Sequence, residues 1–419
     1  MKSGSFFILF FSLVSSLIGK PLSVSIETPH AIMMNAETGQ ILFEKGARTP
    51  IYPASTMKIA AILNVLEKSS DRLDEMITSS AESLRIVSEK EKVQSGFTLP
   101  PYILEHDGRR ISIRVGEAFS VRSLLSAAII HSANDACNVL AENLSSGIPD
   151  FVSEMNELAL RIGCKNTHFC NPHGLHQPDH FSTAYDMALI TREALKYPLF
   201  LELIGETSYL RPKSKLQAAK EFVKKPSRFA NKESPYYYPK AREIKTGYHW
   251  RAKHNVIVWA SNGERRVLVV LHKSPTVEAR CRDAIALFES AFSEEKIERP
   301  IFRKGEMKFQ KKIPKGKTRL FADFSSDVYF QYFPSEEPLL HTALNWHDLS
   351  LPVFAGQEVG EVSIFDALDR CVKKEPIFAQ KGVEKRSLSW LWFLFLGVGI
   401  ILFLYRYIEG RRGKILEDA

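Results

Sequence analysis

Two β-rich hairpin patterns stand at opposite ends of the stretch from His30 to Lys273, and most of what lies between them is helical in pattern. The first, HAIMMNAETGQILFEKG, holds a turn signal at Glu37-Thr38-Gly39; the second, HNVIVWASNGERRVLVVLHK, holds one at Asn262-Gly263. Apolar and β-branched runs flanking such turns specify hairpins. A lone hairpin cannot bury its apolar face, so it must pair with more strands or pack beneath helices. Strands at both ends with helices between therefore predict one antiparallel sheet packed by a helical layer, an α/β (α+β) domain. The helical patterns are the stretch from Ser55, SVRSLLSAAIIHSANDACNVLAENL, DFVSEMNELALRIG and TAYDMALITREALK, with CRDAIALFESAF after the second hairpin.

The texture changes near Glu294 to Pro300. From Ile301 to about Ala379 it consists of short strands and turns, such as TRLFADF, DVYFQYF and LPVFAGQEVGEVSIF, which read as a small all-β domain. Both chain ends read as targeting segments. MKSGSFFILFFSLVSSLIGKP has one early lysine and an apolar core from Phe6 to Ile18, the pattern of a signal peptide. LSWLWFLFLGVGIILFLY, Leu388 to Tyr405, carries no charge and is long enough to span a bilayer. The expected organisation is a signal peptide at 1–23, a first domain at 24–296, a β domain at 297–380, a transmembrane helix at 387–408 and a cytosolic tail at 409–419. Lysines and arginines flank the span on both sides, so the export signal orients it, with the body outside the cytosol.

A formal charge of +8 over 419 residues suits an anionic membrane or polymer, and is too diffuse to argue for nucleic acid. Five cysteines, with no C-x-x-C pair, leave at least one thiol unpaired. Export permits a Cys164–Cys170 disulfide, though most of the five read as buried small hydrophobes.

Within YPASTMKIAAILNVLE, Lys58 interrupts an apolar helical run. A buried cation is costly unless it is paired or gives up its proton. Ser55 lies three residues earlier, on the same helical face, at a helix start. A second S-x-x-K, Ser293/Lys296, sits among charges at the domain boundary and reads as linker. Ser132-Ala133-Asn134 forms a polar island in another apolar helical run, and Lys245-Thr246-Gly247 sits at a strand edge. About 0.1 occurrences of K-T-G would arise by chance at this length, so the order and context of the three motifs carry the signal.

This triplet resembles the penicillin-binding proteins and serine β-lactamases. It is more similar still to the low-molecular-mass D-alanyl-D-alanine carboxypeptidases, through PASTMK, HSANDA, NPHGLHQPDHFSTAYDMALITREAL and IKTG, with LPVFAGQEVGEVSIF resembling part of their C-terminal β domain. The resemblance implies a penicillin-binding, transpeptidase-like first domain with no cofactor and no metal. Its substrate would be the peptidoglycan stem peptide ending in D-Ala-D-Ala, with β-lactams as covalent inhibitors, outside the cell membrane on the periplasmic side. It makes Ser55 the nucleophile, Lys58 its base and Ser132 the proton relay to the leaving amine. Asn134 would hold the substrate amide, Lys245 and Thr246 the terminal carboxylate, and the N–H groups of Ser55 and Tyr248 the oxyanion. Gly247 permits the close backbone approach this requires.

Two departures from the family pattern stand out. YHWRAKHN replaces the usual small residues after KTG, and the Glu89–Gly116 segment is longer than the usual connection. Rival readings are a DD-endopeptidase, a β-lactamase, or a non-catalytic wall-binding scaffold; the intact Ser55, Lys58, Ser132 and Lys245 speak against the last. His168, His173, His176 and His180 cluster with Asp179, but Pro172, Gly174 and Pro178 break any local helix, so the segment reads as a loop rather than a zinc site. PKSKLQAAKEFVKKPSR, with six Lys/Arg against one Glu, reads as a solvated face.

Overall fold

The computed structural model describes residues 19–224, 226–386 and 389–417. The described chain forms two compact units, one over 19–295 with 333–337, the other over 296–332 and 338 onward. The expected signal peptide lies almost wholly outside the described residues.

The first unit is built on a five-stranded antiparallel sheet. Its strands are β1 (His30–Asn35), β2 (Ile41–Lys45), β3 (Ala241–His249), β4 (Lys253–Ser261) and β5 (Arg266–Ser274), in the order β2-β1-β5-β4-β3. Both sequence-predicted hairpins form, and their turns close as the residues require. Asn35 Oδ1 accepts from Glu37 N (2.8 Å) and Thr38 N (2.9 Å), and Asn262 Oδ1 accepts from Glu264 N (3.1 Å) and Arg265 N (3.0 Å). Such side-chain turns are the reason asparagine favours these positions.

The sheet is buried on both faces, where a single helical layer was expected. Alternate residues divide between two cores: Ile32, Met34, Ile257, Leu268 and Val270 enter one, while Ala31, Met33, Val256, Val258 and Val269 enter the other. The first face is covered by α1 (Lys58–Ser69), α3 (Val121–Ile130), α4 (Asn134–Leu144), α5 (Ile148–Ile162) and α6 (Ala184–Ala194). The short α2 (Glu89–Gln94) and α7 (Pro198–Gly205) flank this layer. The second face is covered by α8 (Val277–Phe292), through Cys281, Ala284, Leu287 and Phe288. Central strands apolar on both sides, such as VLVVL in β5, are what a doubly covered sheet needs.

Helix starts follow their caps: Ser120 accepts from Ser123 N, Thr183 from Asp186 N and Thr276 from Ala279 N. All five cysteines are free, so Cys164 and Cys170 form no disulfide. The buried Cys164 thiol instead lies 3.6 Å from the Asp186 carbonyl.

The second unit pairs strands Ile297–Phe302 and Val328–Tyr332. It also forms a five-stranded antiparallel sheet around Leu320, Ala322, Val359, Val362, Ile364 and Ile377. Helix α9 (Ser389–Glu417) follows. Among the described residues, no helix is long and apolar enough to cross a membrane. The span expected at 387–408 falls partly outside them, since side chains are described there only for 393–406 and 408.

Candidate active site

Ser55 and Lys58 sit at the junction of two elements rather than on one helix. A 3₁₀ turn, Ala54–Met57, carries Ser55, and α1 begins at Lys58. The turn is under strain, because Ala54 takes φ +48°, a left-handed conformation costly for any residue with a Cβ. It is packed from two sides by backbone that only glycine allows. A Cβ on Gly174 (φ +89°) would stand 2.3 Å from the Ala54 carbonyl oxygen, and one on Gly247 would stand 2.9 Å from the Ser55 nitrogen. Asn255 on β4 is fully buried and donates to the Tyr52 carbonyl (3.3 Å) and the Pro53 carbonyl (3.1 Å), tying the turn to the sheet.

Lys58 is completely buried, and its amine makes three hydrogen bonds. Ser55 Oγ lies at 3.0 Å, Asn134 Oδ1 at 2.7 Å and the His173 carbonyl oxygen at 2.5 Å. Two of these partners can only accept. An ammonium can donate to all three; a neutral amine donates to Asn134 and His173 and has a lone pair for the Ser55 hydroxyl proton. The neutral form is the one a general base needs.

The polar island forms the break expected of it. His131 ends α3, Ser132 adopts φ +59°, and Ala133 caps α4, so Asn134 opens that helix with its N–H donating to the Arg109 carbonyl at 2.8 Å. The Ser132 hydroxyl is buried without a hydrogen-bond partner and lines the cleft that holds Ser55. Asp135 is buried behind it and accepts from Ile111 N and Ile113 N, both at 3.1 Å, which fastens that segment to α4.

β3 is the edge strand of the sheet and supplies the opposite wall with Lys245, Thr246, Gly247 and Tyr248. The cleft between the walls is about 730 Å³. Burial pushes the Lys58 amine down to about 8, and burial together with the Lys58 charge pushes the Lys245 amine down to about 7. The described partner of Lys245 Nζ is the Thr246 carbonyl at 3.1 Å, which leaves donors for an arriving anion. Once Lys58 is neutral, its repulsion of the Lys245 charge disappears.

The structure gathers Ser55, Lys58, Ser132, Asn134, Lys245, Thr246, Gly247 and Tyr248 around one cleft. Sequence reading missed three supporting groups. One is the His173 carbonyl, aimed at Lys58 by a loop in which Asn171 Oδ1 accepts from His173 N (3.3 Å) and Gly174 N (2.7 Å). The His173 ring turns away, held between Leu175 N and the Tyr102 carbonyl. The second is Asn255, for which the strand pattern offered no signal. The third is Arg280 on α8, which lines the cleft and donates to the Asn255 carbonyl at 3.0 Å. Lys224 and Arg228, expected on a solvated face, line the cleft as well.

A strained serine turn, a buried lysine and a glycine-opened edge strand meet at one cleft, an arrangement suited to serine acyl transfer. Similar folds are known. The crystal structure of penicillin binding protein 6B from Escherichia coli matches 89% of this chain and 99% of its own at 22% identity, with a TM-score of 0.57. The crystal structure of the Streptomyces K15 DD-transpeptidase is matched over 98% of its length by 64% of this chain at 25% identity, with a TM-score of 0.53. Among sequences, D-alanyl-D-alanine carboxypeptidase DacF of Bacillus subtilis is 26% identical over 366 residues, 86% of each chain. DacC of Escherichia coli is 24% identical over 92% of each. Residues 18–276 match the Peptidase S11 family, described as D-alanyl-D-alanine carboxypeptidase, and the chain belongs to that family.

Proposed function

We propose that the chain is a penicillin-sensitive, serine-type D-alanyl-D-alanine carboxypeptidase that removes the terminal D-alanine from peptidoglycan stem peptides. The observation that carries this reading is the fully buried Lys58 amine within 3.0 Å of Ser55 Oγ. Lys58 takes the hydroxyl proton as Oγ attacks the penultimate carbonyl, and the N–H groups of Ser55 and Tyr248 hold the oxyanion. Ser132 passes a proton to the leaving amine, free D-alanine departs, and water then hydrolyses the Ser55 ester. Asn134 holds the substrate amide, while Lys245 and Thr246 receive the terminal carboxylate. β-Lactams form the same ester, but their leaving group stays attached.

The deciding experiment is incubation with a pentapeptide ending in D-Ala-D-Ala, products being identified by mass. Release of free D-alanine by the wild type, and its loss together with penicillin labelling in Ser55→Ala, is the expected result. Labelling that survives in Ser55→Ala would overturn the assignment.

A second part of the reading is a membrane tether through α9, with the catalytic unit on the extracytoplasmic side. In its support, Leu388 to Tyr405 is uncharged, and Phe393, Phe395, Ile401 and Phe403 are exposed large apolar side chains. Partitioning of the full chain into membranes, and release after truncation at Lys381, tests it.

A further inference from the structure

The two departures from the family pattern, the long Glu89–Gly116 segment and the bulky residues after Gly247, meet in space. Trp250 Nε1 donates to Glu89 Oε1 at 3.0 Å, and His249 Nε2 lies 3.6 Å from the same oxygen. The His249 ring stacks on His176, with centroids 5.5 Å apart and 13° between planes. His176 is met edge-on by Tyr52 at 4.5 Å and Phe97 at 5.6 Å. Arg251 N donates to His249 Nδ1 at 3.3 Å, which leaves the ring proton on Nε2, facing Glu89. Burial lowers the proton affinity of both rings, His176 to about 4, so the stack carries no charge at neutral pH. Of this group, His249 lines the cleft together with Ser55.

Its place along β3 says what it meets. A peptide can add to an edge strand, its residues running along the strand in order. With the terminal carboxylate at Lys245 and the reacting carbonyl beside Gly247, the residues upstream of the scissile bond run past His249. That ring stands about 7 Å beyond Gly247 at the rise of a β-strand.

Resting on the carboxypeptidase reading, we propose that His249 is a specificity-determining residue, forming with His176 a flat platform for the stem peptide upstream of D-Ala-D-Ala. Trp250 and Glu89 are positioning residues that hold the platform. The favoured substrate class is a peptide that extends at least one residue upstream of the D-Ala-D-Ala pair and offers an apolar side-chain stem to the ring, over an acylated dipeptide.

The test compares kcat/KM of the full-length protein for a D-Ala-D-Ala pentapeptide and for N-acetyl-D-Ala-D-Ala, read as D-alanine release. Wild type favours the pentapeptide. His249→Ala lowers the pentapeptide-to-dipeptide ratio about tenfold, the size of one aromatic contact. Trp250→Phe, which keeps a ring but loses the bond to Glu89, lowers the ratio in the same direction. Glu89→Ala lowers it as well, while Glu89→Gln, whose amide oxygen still accepts the indole N–H, restores most of it. Penicillin labelling of each variant reports a folded site; if His249→Ala fails to label, Trp250→Phe and the Glu89 pair decide. A ratio unmoved in the variants that label overturns the inference while leaving the carboxypeptidase reading intact. Absence of D-alanine from both peptides with the wild type overturns both.

Discussion

A methyl group on Gly247 would stand 2.9 Å from the backbone nitrogen of Ser55 and 3.1 Å from that of Thr56. The edge strand and the nucleophile's turn thus touch through backbone alone, with no side chain able to swing aside. Gly247→Ala must push β3 away from Ser55. Acylation by a fluorescent penicillin is expected to fall by about 10²-fold or more, the loss seen when one oxyanion donor is displaced. A near-native labelling rate would show that the two N–H groups do not act together.

If Lys58 is the base, as proposed, Lys58→Arg conserves charge yet removes it. Arginine keeps its proton, and here its guanidinium would be fully buried. Stopped-flow acylation should fall about 10²–10⁴-fold, as far as in Lys58→Ala. An arginine variant retaining a tenth of the wild-type rate would mean that Lys58 acts through its charge.

The two lysines set the pH profile. Below about 8 a growing fraction of Lys58 holds its proton and cannot accept one from Ser55, so acylation rises with pH. As pH climbs, Lys245 loses the charge that receives the carboxylate, and acylation falls again. The active form holds one proton, on Lys245, so the coupled pair predicts a bell with its maximum between about 7 and about 8. Lys245→Arg cannot lose its charge, so its alkaline limb should flatten into a plateau while the acid limb stays. Persistence of that limb would place its origin elsewhere.

Asn255→Leu removes the donor to Tyr52 and Pro53 and the acceptor of Lys273 N at 2.7 Å, inside a fully buried site. Stranded buried groups cost about 1–3 kcal/mol, or about 3–9 °C of Tm for a unit of this size. Calorimetry reads the loss, and penicillin labelling should slow with it, because the serine turn is no longer held. A stable but slow variant would still support the positioning role; a stable variant with full activity would refute it.

Much of this was legible in the order of residues. The hairpins are local, so Asn35, Gly39, Asn262 and Gly263 announce their turns. The polar island at Ser132 announces a break between helices, because a serine and an asparagine cannot be buried in an apolar run without a use. Lys58 announces itself for the same reason, as a charge where only an uncharged amine is cheap. Other features were misread. Ser55 belongs to a 3₁₀ turn and not to the helix, since that choice depends on Gly174 and Asn255 packing against it from distant parts of the chain.

Hydropathy says which face of an element is buried and is silent about what buries it. VLVVL fits a strand covered on both sides, yet only the assembled sheet shows α8 on one face and α1 with α3 to α6 on the other. The protonation state of Lys58 rests on Asn134, 76 residues away, and on a carbonyl at His173, 115 residues away. Neither distance leaves a periodic trace. The stack of His176 on His249 is of the same kind: in the chain one belongs to a histidine-rich loop and the other follows K-T-G, 73 residues later. They become one surface because β3 and the loop around Gly174 converge on the same serine turn.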